Sequence, residues 1–149
     1  MATTATTDTV SSLNSLIETL EDGKMGFETA AGNVKDANIR STFNEFAMQR
    51  ARMASELQAE VRKLGGEAQK SGSVAAAAHR GWINIKSALG GGEKAILDEA
   101  ERGEDVAVHA YEKAMKEKLS PDVSTLVNRQ FTEVKAAHDR VKALRDSWK

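Results

Sequence analysis

Four polar side chains fall at positions of predicted helices where a core residue would be expected to be apolar. Projection at about 100° per residue places Lys24, Arg50, Glu104 and Gln130 near the centres of four apolar helix faces. A carboxylate buried there without a partner costs several kcal/mol or becomes protonated. If the second and third helices run parallel, Arg50 and Glu104 lie at similar depths. The sequence then predicts a buried ion pair between them.

Two interpretations of these residues compete. In the first, which we favour, the core is structural, and Arg50, Glu104 and Gln130 satisfy one another and fix the helix register. Lys24 belongs to the same structural polar core. In the second, carboxylates bind metal ions, as in bundles that take a Glu from each of two helices and Glu-x-x-His from two others. The candidate ligands for iron or another divalent metal are Glu21, Glu101, Glu104 and His138.

The sequence does not complete the two-metal pattern. The predicted second helix contains no histidine, and Ala136 stands where the Glu133-x-x-His pair would need its histidine. Arg50 would also bring a fixed positive charge to a dication site. The spacing instead predicts that Glu101 faces His138 as a polar contact. We therefore expect no cofactor and no catalytic residue, with a metal site as the alternative.

Long helices are needed to position these side chains. Apolar residues recur at helical spacing in four stretches of roughly 25 residues. The first stretch starts near Thr7 or Asp8, the second covers 39–64, the third 93–118, and the fourth follows a Ser120-Pro121 start signal. We expect residues 1–8 to be a disordered N-terminal tail and residues 9–149 to form one all-α domain.

The connections between these helices predict the topology. Short links join the first helix to the second and the third to the fourth, which makes two antiparallel hairpins. The middle connection, 65–92, is long and carries a predicted short helix at 74–89, about 24 Å in length. It can return the chain along the bundle, so the predicted fold is a four-helix bundle with a ferritin-like crossover.

Composition limits the classes of partner. The 149 residues carry a formal net charge of −1, and no basic block indicates nucleic acid or an anionic membrane surface as a partner. No stretch reads as a signal peptide or a membrane span, and cysteine is absent, so we expect a cytoplasmic protein. Arg80 and Trp82, in the sequence HRGW, are of the types that favour interfaces, and they are our candidates for a protein-binding surface.

Several stretches of the sequence resemble a known family. These are LNSLIETLEDGKMGF, ELQAEVRKLGG, HRGWINIK, ERGEDVAVHAY and RQFTEVKAAHDRVKALRD. They are similar, in the same order, to an uncharacterised bacterial family of ferritin-like four-helix bundles of unknown function. The resemblance implies a cytoplasmic, stress-associated protein and transfers no activity.

The sequence therefore leads to two hypotheses about function. The first is a non-enzymatic bundle protein that acts through self-association, as a homo-oligomer, or through binding another protein. The alternative is a ferritin-like oxidoreductase of the di-iron type with an altered ligand set.

Overall fold

The computed structural model describes residues 4–69 and 89–148 of the chain, and within them four long helices form a bundle. Helix α1 covers Thr4–Ala31 and α2 covers Ala37–Lys63. A single 3-10 turn, Leu89–Gly91, leads into α3, which covers Gly92–Met115, and α4 covers Pro121–Ser147. The predicted crossover helix at 74–89 lies outside the described residues, apart from Leu89.

Local signals in the sequence account for both ends of α2 and for the start of α4. The carboxylate of Asp36 accepts a hydrogen bond of 2.9 Å from the amide of Ile39 and so caps α2. At the other end Gly65 has φ of 80°, and the amide of Gly66 bonds to the carbonyl of Val61. Pro121 opens α4, where its fixed φ suits the first helical turn. These ends agree with the sequence prediction to within about three residues.

Helix α1 begins earlier than the sequence predicts, and the disordered tail expected over residues 1–8 stays a prediction, since residues 1–3 lie outside the described part of the chain. The helix already includes Thr4, ahead of the predicted cap at Thr7 or Asp8. Burial explains the earlier start, because Thr9 is buried and Val10 packs against the core and against Gly66. Tertiary contacts of Thr9 and Val10 therefore help to hold the beginning of α1 in helical form.

Two apolar clusters fix the direction of each helix. One cluster joins the beginning of α1 to the end of α2, the end of α3 and the beginning of α4. The other joins the end of α1 to the beginnings of α2 and α3 and to Val141 near the end of α4. Helices α2 and α3 therefore run parallel, and each is antiparallel to its hairpin partner. This is the up-down-down-up order of a ferritin-like bundle, as predicted.

A polar layer lies between the two apolar clusters. Arg50 comes between Ala47 and Met53 along α2, and Glu104 comes between Ala100 and Ala107 along α3. Because each cluster ends where this layer begins, α2 and α3 present charged side chains to the middle of the bundle.

Among the described helices, none is both long enough and apolar enough to cross a membrane.

Candidate functional site

The centre of the bundle holds an ion pair between α2 and α3. Arg50 Nη1 donates to Glu104 Oε1 at 2.7 Å, and Arg50 Nη2 donates to Glu104 Oε2 at 2.6 Å. Both residues are 0% exposed. Two parallel hydrogen bonds between a guanidinium and a carboxylate are the strongest arrangement of this pair, and they occupy both carboxylate oxygens. The structure thus brings together the two residues whose depth along the helices matched.

The surroundings of Arg50 are shaped to receive its guanidinium. The side chain lies over the ring of Phe27, with Cζ 5.4 Å from the ring centroid, which is a cation–π contact. A Cβ added at Gly23 would stand 3.4 Å from Arg50 Nη1, so the glycine gives the guanidinium space on the α1 side. Gln49 accepts a further hydrogen bond from Nε at 3.3 Å. These contacts offset part of the cost of burying the charge.

A second buried polar group lies beside the ion pair and corrects the predicted network. Gln130 does not bond to Arg50 or Glu104, and its Oε1 instead accepts a 2.7 Å hydrogen bond from the Tyr111 hydroxyl. Its Nε2 donates to the Met53 carbonyl at 3.2 Å and to Glu56 Oε1 at 3.0 Å. Burial raises the pKa of Tyr111 well above its ordinary value, so the phenol remains a neutral donor. Gln130 therefore links α3 to α2.

Two predicted members of the site lie elsewhere. Lys24 is half-buried and is not one of the buried polar residues, because the neighbouring Gly23 faces Arg50 in its place. Glu21 is half-buried on α1 and lies outside the group of candidate ligands found among the described residues. Arg80 and Trp82, the candidate interface residues, lie outside the described residues.

His138 is the centre of a polar cluster at the seam between α3 and α4. Its Nε2 lies 2.6 Å from Asp105 Oδ1 and 3.4 Å from Glu101 Oε1, and its Nδ1 lies 3.0 Å from Asp139 Oδ1. Arg145 Nη1 contacts the other oxygen of Glu101 at 3.1 Å. His138 is 9% exposed, whereas the Asp105 side chain is about half exposed. The cluster therefore opens to solvent on the Asp105 side.

Opposing effects set the charge of this cluster. Burial lowers the pKa of His138, but the hydrogen bonds to Asp139 and Asp105 and the charges of Asp105 and Glu101 outweigh it, so the net pKa is raised. Hydrogen bonds from Lys135 and His138 lower the pKa of Asp139. The hydrogen bond to Asp146 is the main effect that raises the pKa of Arg145. A cationic imidazole is therefore favoured between the carboxylates.

The two sites differ in what they can bind. A two-metal centre of the ferritin type needs free carboxylates at the middle of the bundle. Here Glu104 has both oxygens on a guanidinium, and no described buried side-chain nitrogen or oxygen lacks a hydrogen-bond partner. The central residues thus do not fit a di-iron group. Glu101, Asp105 and His138, by contrast, offer three ligand atoms within 4.8 Å of one another.

Sequence reasoning missed two important residues of these sites. Asp105 is absent from the candidate ligands that the sequence suggested, although it lies one helical turn after Glu101 and so shares its face. Tyr111 is the second, because its hydroxyl donates to Gln130, for which the sequence suggested Arg50 and Glu104 as partners. The i,i+4 spacing of the two acids was the available signal for the first, and the polar tip of tyrosine was the signal for the second.

The order and direction of the helices define a ferritin-like four-helix bundle, the class that the sequence predicted. The chain belongs to the family described as a domain of unknown function, DUF2383, whose model matches residues 8–117. A solved structure of a mutant of Dps1 from Mycobacterium smegmatis is similar, with a TM-score of 0.76 at 15% sequence identity. The similarity covers 97% of this chain and 99% of that chain, and it concerns the fold. No curated protein matches the sequence.

Proposed function

We propose that this protein is a non-enzymatic bundle protein of the cytoplasm, which acts through self-association or by binding another protein. The Arg50–Glu104 pair is the observation that carries the proposal, because it fills the position where metal-dependent bundles place their ligands. A guanidinium cannot lose its proton at physiological pH, so its charge opposes a dication there permanently. The stress-associated role implied by the resemblance is part of the same proposal.

The surface of α2 supports an interaction role. Met48 is 74% exposed, the largest exposure among the described large apolar side chains. It borders a groove that is lined by Phe46 and Arg52 of α2 and by Glu133 of α4, so the groove combines apolar and charged side chains. Methionine adapts its shape to a partner surface at little cost, which suits it to such contacts.

Light scattering on a sizing column tests self-association. We expect the wild-type chain to have a mass above that of the 16.1 kDa monomer at micromolar concentration. Met48→Glu should lower that mass, because it places a charge in the contact, whereas Met25→Glu on α1 is a control that should leave it unchanged. A wild-type protein that stays monomeric at all concentrations and captures no protein partner through this surface would contradict the proposal.

Elemental analysis separates this proposal from the alternative, an oxidoreductase that uses iron or another divalent metal. Protein purified without chelators is compared with Glu104→Gln, which removes the central carboxylate charge and keeps its shape. We expect no metal whose binding depends on Glu104. Two ions per chain that disappear in Glu104→Gln would favour the di-iron alternative instead. One observation favours that alternative, namely the contact of its candidate ligands Glu101 and His138.

A further inference from the structure

We propose that His138, Asp105 and Glu101 form a binding site for one divalent transition-metal ion such as Zn²⁺, at the seam between α3 and α4. Their ligand atoms, one imidazole nitrogen and two carboxylate oxygens, lie within 4.8 Å of one another. The site is separate from the centre of the bundle and needs no free ligand there. The proposed metal site is therefore tested independently of the proposed non-enzymatic role.

The orientation of the imidazole requires either a hydrogen or a metal ion between Nε2 and the acids. His138 Nε2 faces Asp105 Oδ1 at 2.6 Å and Glu101 Oε1 at 3.4 Å. Ionised carboxylates only accept hydrogen bonds, so a bare nitrogen lone pair in this position would face the lone pairs of two anions. Either a proton or a metal ion must occupy that space. A divalent ion neutralises more of the surrounding negative charge than a single proton does.

Outer groups prepare the three ligands for metal binding. Asp139 Oδ1 lies 3.0 Å from His138 Nδ1, which is hydrogen-bonding distance. In the tautomer that carries its proton on Nδ1, this carboxylate accepts the hydrogen bond and Nε2 is the coordinating nitrogen. A metal-bound histidine commonly donates its other ring N–H to a carboxylate, and this hydrogen bond fixes both the tautomer and the ring orientation. Arg145 holds Glu101 through Oε2 at 3.1 Å, which leaves Oε1 directed at the imidazole. Asp139 and Arg145 thus orient His138 and Glu101, and the ligand atoms of both residues converge with Asp105 Oδ1.

The dimensions of the cluster suit a small four-coordinate ion. Zinc binds imidazole nitrogen and carboxylate oxygen at about 2.0–2.2 Å and takes a tetrahedral set, with water in a position that the protein leaves open. The contact between Asp105 and His138 must lengthen by several tenths of an ångström to admit the ion. Asp105 can make this adjustment because its side chain is 46% exposed. The same exposure gives the ion a path from solvent and room for a water ligand.

Titration of metal-free protein with ZnCl₂ in a calorimeter tests the site. Chelator-treated and dialysed wild-type protein should bind one Zn²⁺ per chain. His138→Gln and Asp105→Asn should each weaken binding by at least about tenfold, since each removes a direct ligand. His109→Gln is the matched control. This histidine lies on α3 near a carboxylate, but its side chain is 76% exposed and its contact with Glu112 is long, at 4.0 Å. It should bind Zn²⁺ as the wild type does.

Two further measurements distinguish a built site from chance binding. Asp139→Asn keeps all three ligands, and we expect it to weaken Zn²⁺ by about tenfold through the loss of the outer partner. Zn²⁺ should raise the melting temperature of the wild type and of Glu104→Gln, but not that of His138→Gln. No binding by the wild type, or wild-type affinity in His138→Gln with its helical circular dichroism intact, would overturn the proposal. Binding that depends on Glu104 would overturn it as well, by placing the ion at the bundle centre.

Discussion

Two glutamates three residues apart on α3 have different environments, and the difference follows from helix geometry. A step of three residues rotates the side chain by about 60° around the axis. Glu104 thereby faces the centre, where Arg50 holds both of its oxygens. Glu101 faces the seam, where it is shared by His138 and Arg145. Glu104 is therefore paired with a permanent cation alone, whereas Glu101 is paired with a permanent cation and a titratable one.

At the centre, removal of one partner should cost far more than removal of both. Arg50→Met leaves Glu104 buried without a counter-charge, and we expect a loss of about 3 kcal/mol in the free energy of unfolding. Arg50→Met combined with Glu104→Leu should recover most of that loss, because apolar side chains replace the pair. Urea unfolding followed by circular dichroism measures both. A single mutant as stable as the wild type would show that the centre tolerates an unpaired carboxylate.

At the seam, the metal-free protein should become less stable as pH rises above the ordinary pKa of His138. That pKa is 6.5 in the absence of the protein and is raised in the folded state, so folding binds a proton. The stabilisation is complete below about pH 6.5 and is lost as pH rises through the folded pKa. Urea unfolding in EDTA between about pH 6 and 9 measures the slope. His138→Gln should flatten it, whereas an unchanged slope in that variant would assign the effect to another group.

The sequence predicted the partners in this core only where depth and direction both constrain them. Arg50 and Glu104 could be matched because each is an isolated charge on an apolar stripe at a comparable depth. Lys24 could not be placed, since a stripe does not decide whether position 23 or 24 faces the centre, and the guanidinium takes the space beside Gly23. Gln130 was predicted as a polar core residue, but the choice of Tyr111 over Arg50 depends on distances that periodicity does not contain.

The helices are more predictable at their ends than in their contacts. Asp36 before α2 and Gly65 after it are signals that act through the local backbone, and the observed ends of α2 lie within two residues of the predicted range, 39–64. The start of α1 depends instead on burial of Thr9 and on contacts of Val10 with the chain after α2. Such tertiary contacts have no local signature, which is why the predicted cap was several residues late.

The same substitution at two glycines should have opposite effects. Gly23→Ala places a Cβ 3.4 Å from Arg50 Nη1, an ordinary contact, and removes a glycine from a helix interior, so we expect unchanged or slightly raised stability. Gly65→Ala meets no atom within 4 Å, but its φ of 80° strains an L-residue. We expect a loss of about 1 kcal/mol. Urea unfolding of both variants measures the difference. A greater loss of stability at Gly23 than at Gly65 would mean that the Arg50 guanidinium cannot move away from the added methyl group.

On the scale of the whole molecule, the long middle connection decides which helices share a polar layer. Because α2 and α3 run parallel across the bundle, their central residues meet at one level, and the two apolar clusters lie on either side of it. The lengths of the connections predicted this direction. The predicted crossover helix falls within 70–88, outside the described residues. The roles of Arg80 and Trp82 as interface residues therefore stay predictions.

This topology places the start of α3 beside the turn of the first hairpin, and one contact there tests it. Glu93 accepts hydrogen bonds from the amides of Lys35 at 2.7 Å and Asp36 at 3.0 Å. Glu93→Ala should lower the free energy of unfolding by roughly 2 kcal/mol, since both bonds are made to a charged acceptor. Hydrogen exchange at these two amides should quicken in the folded state. Lys94→Ala removes an exposed 3.8 Å ion pair to Asp98 and should change stability by less than about 0.5 kcal/mol. If Glu93→Ala left both amides as protected as in the wild type, the contact between the start of α3 and the turn of the first hairpin would be contradicted.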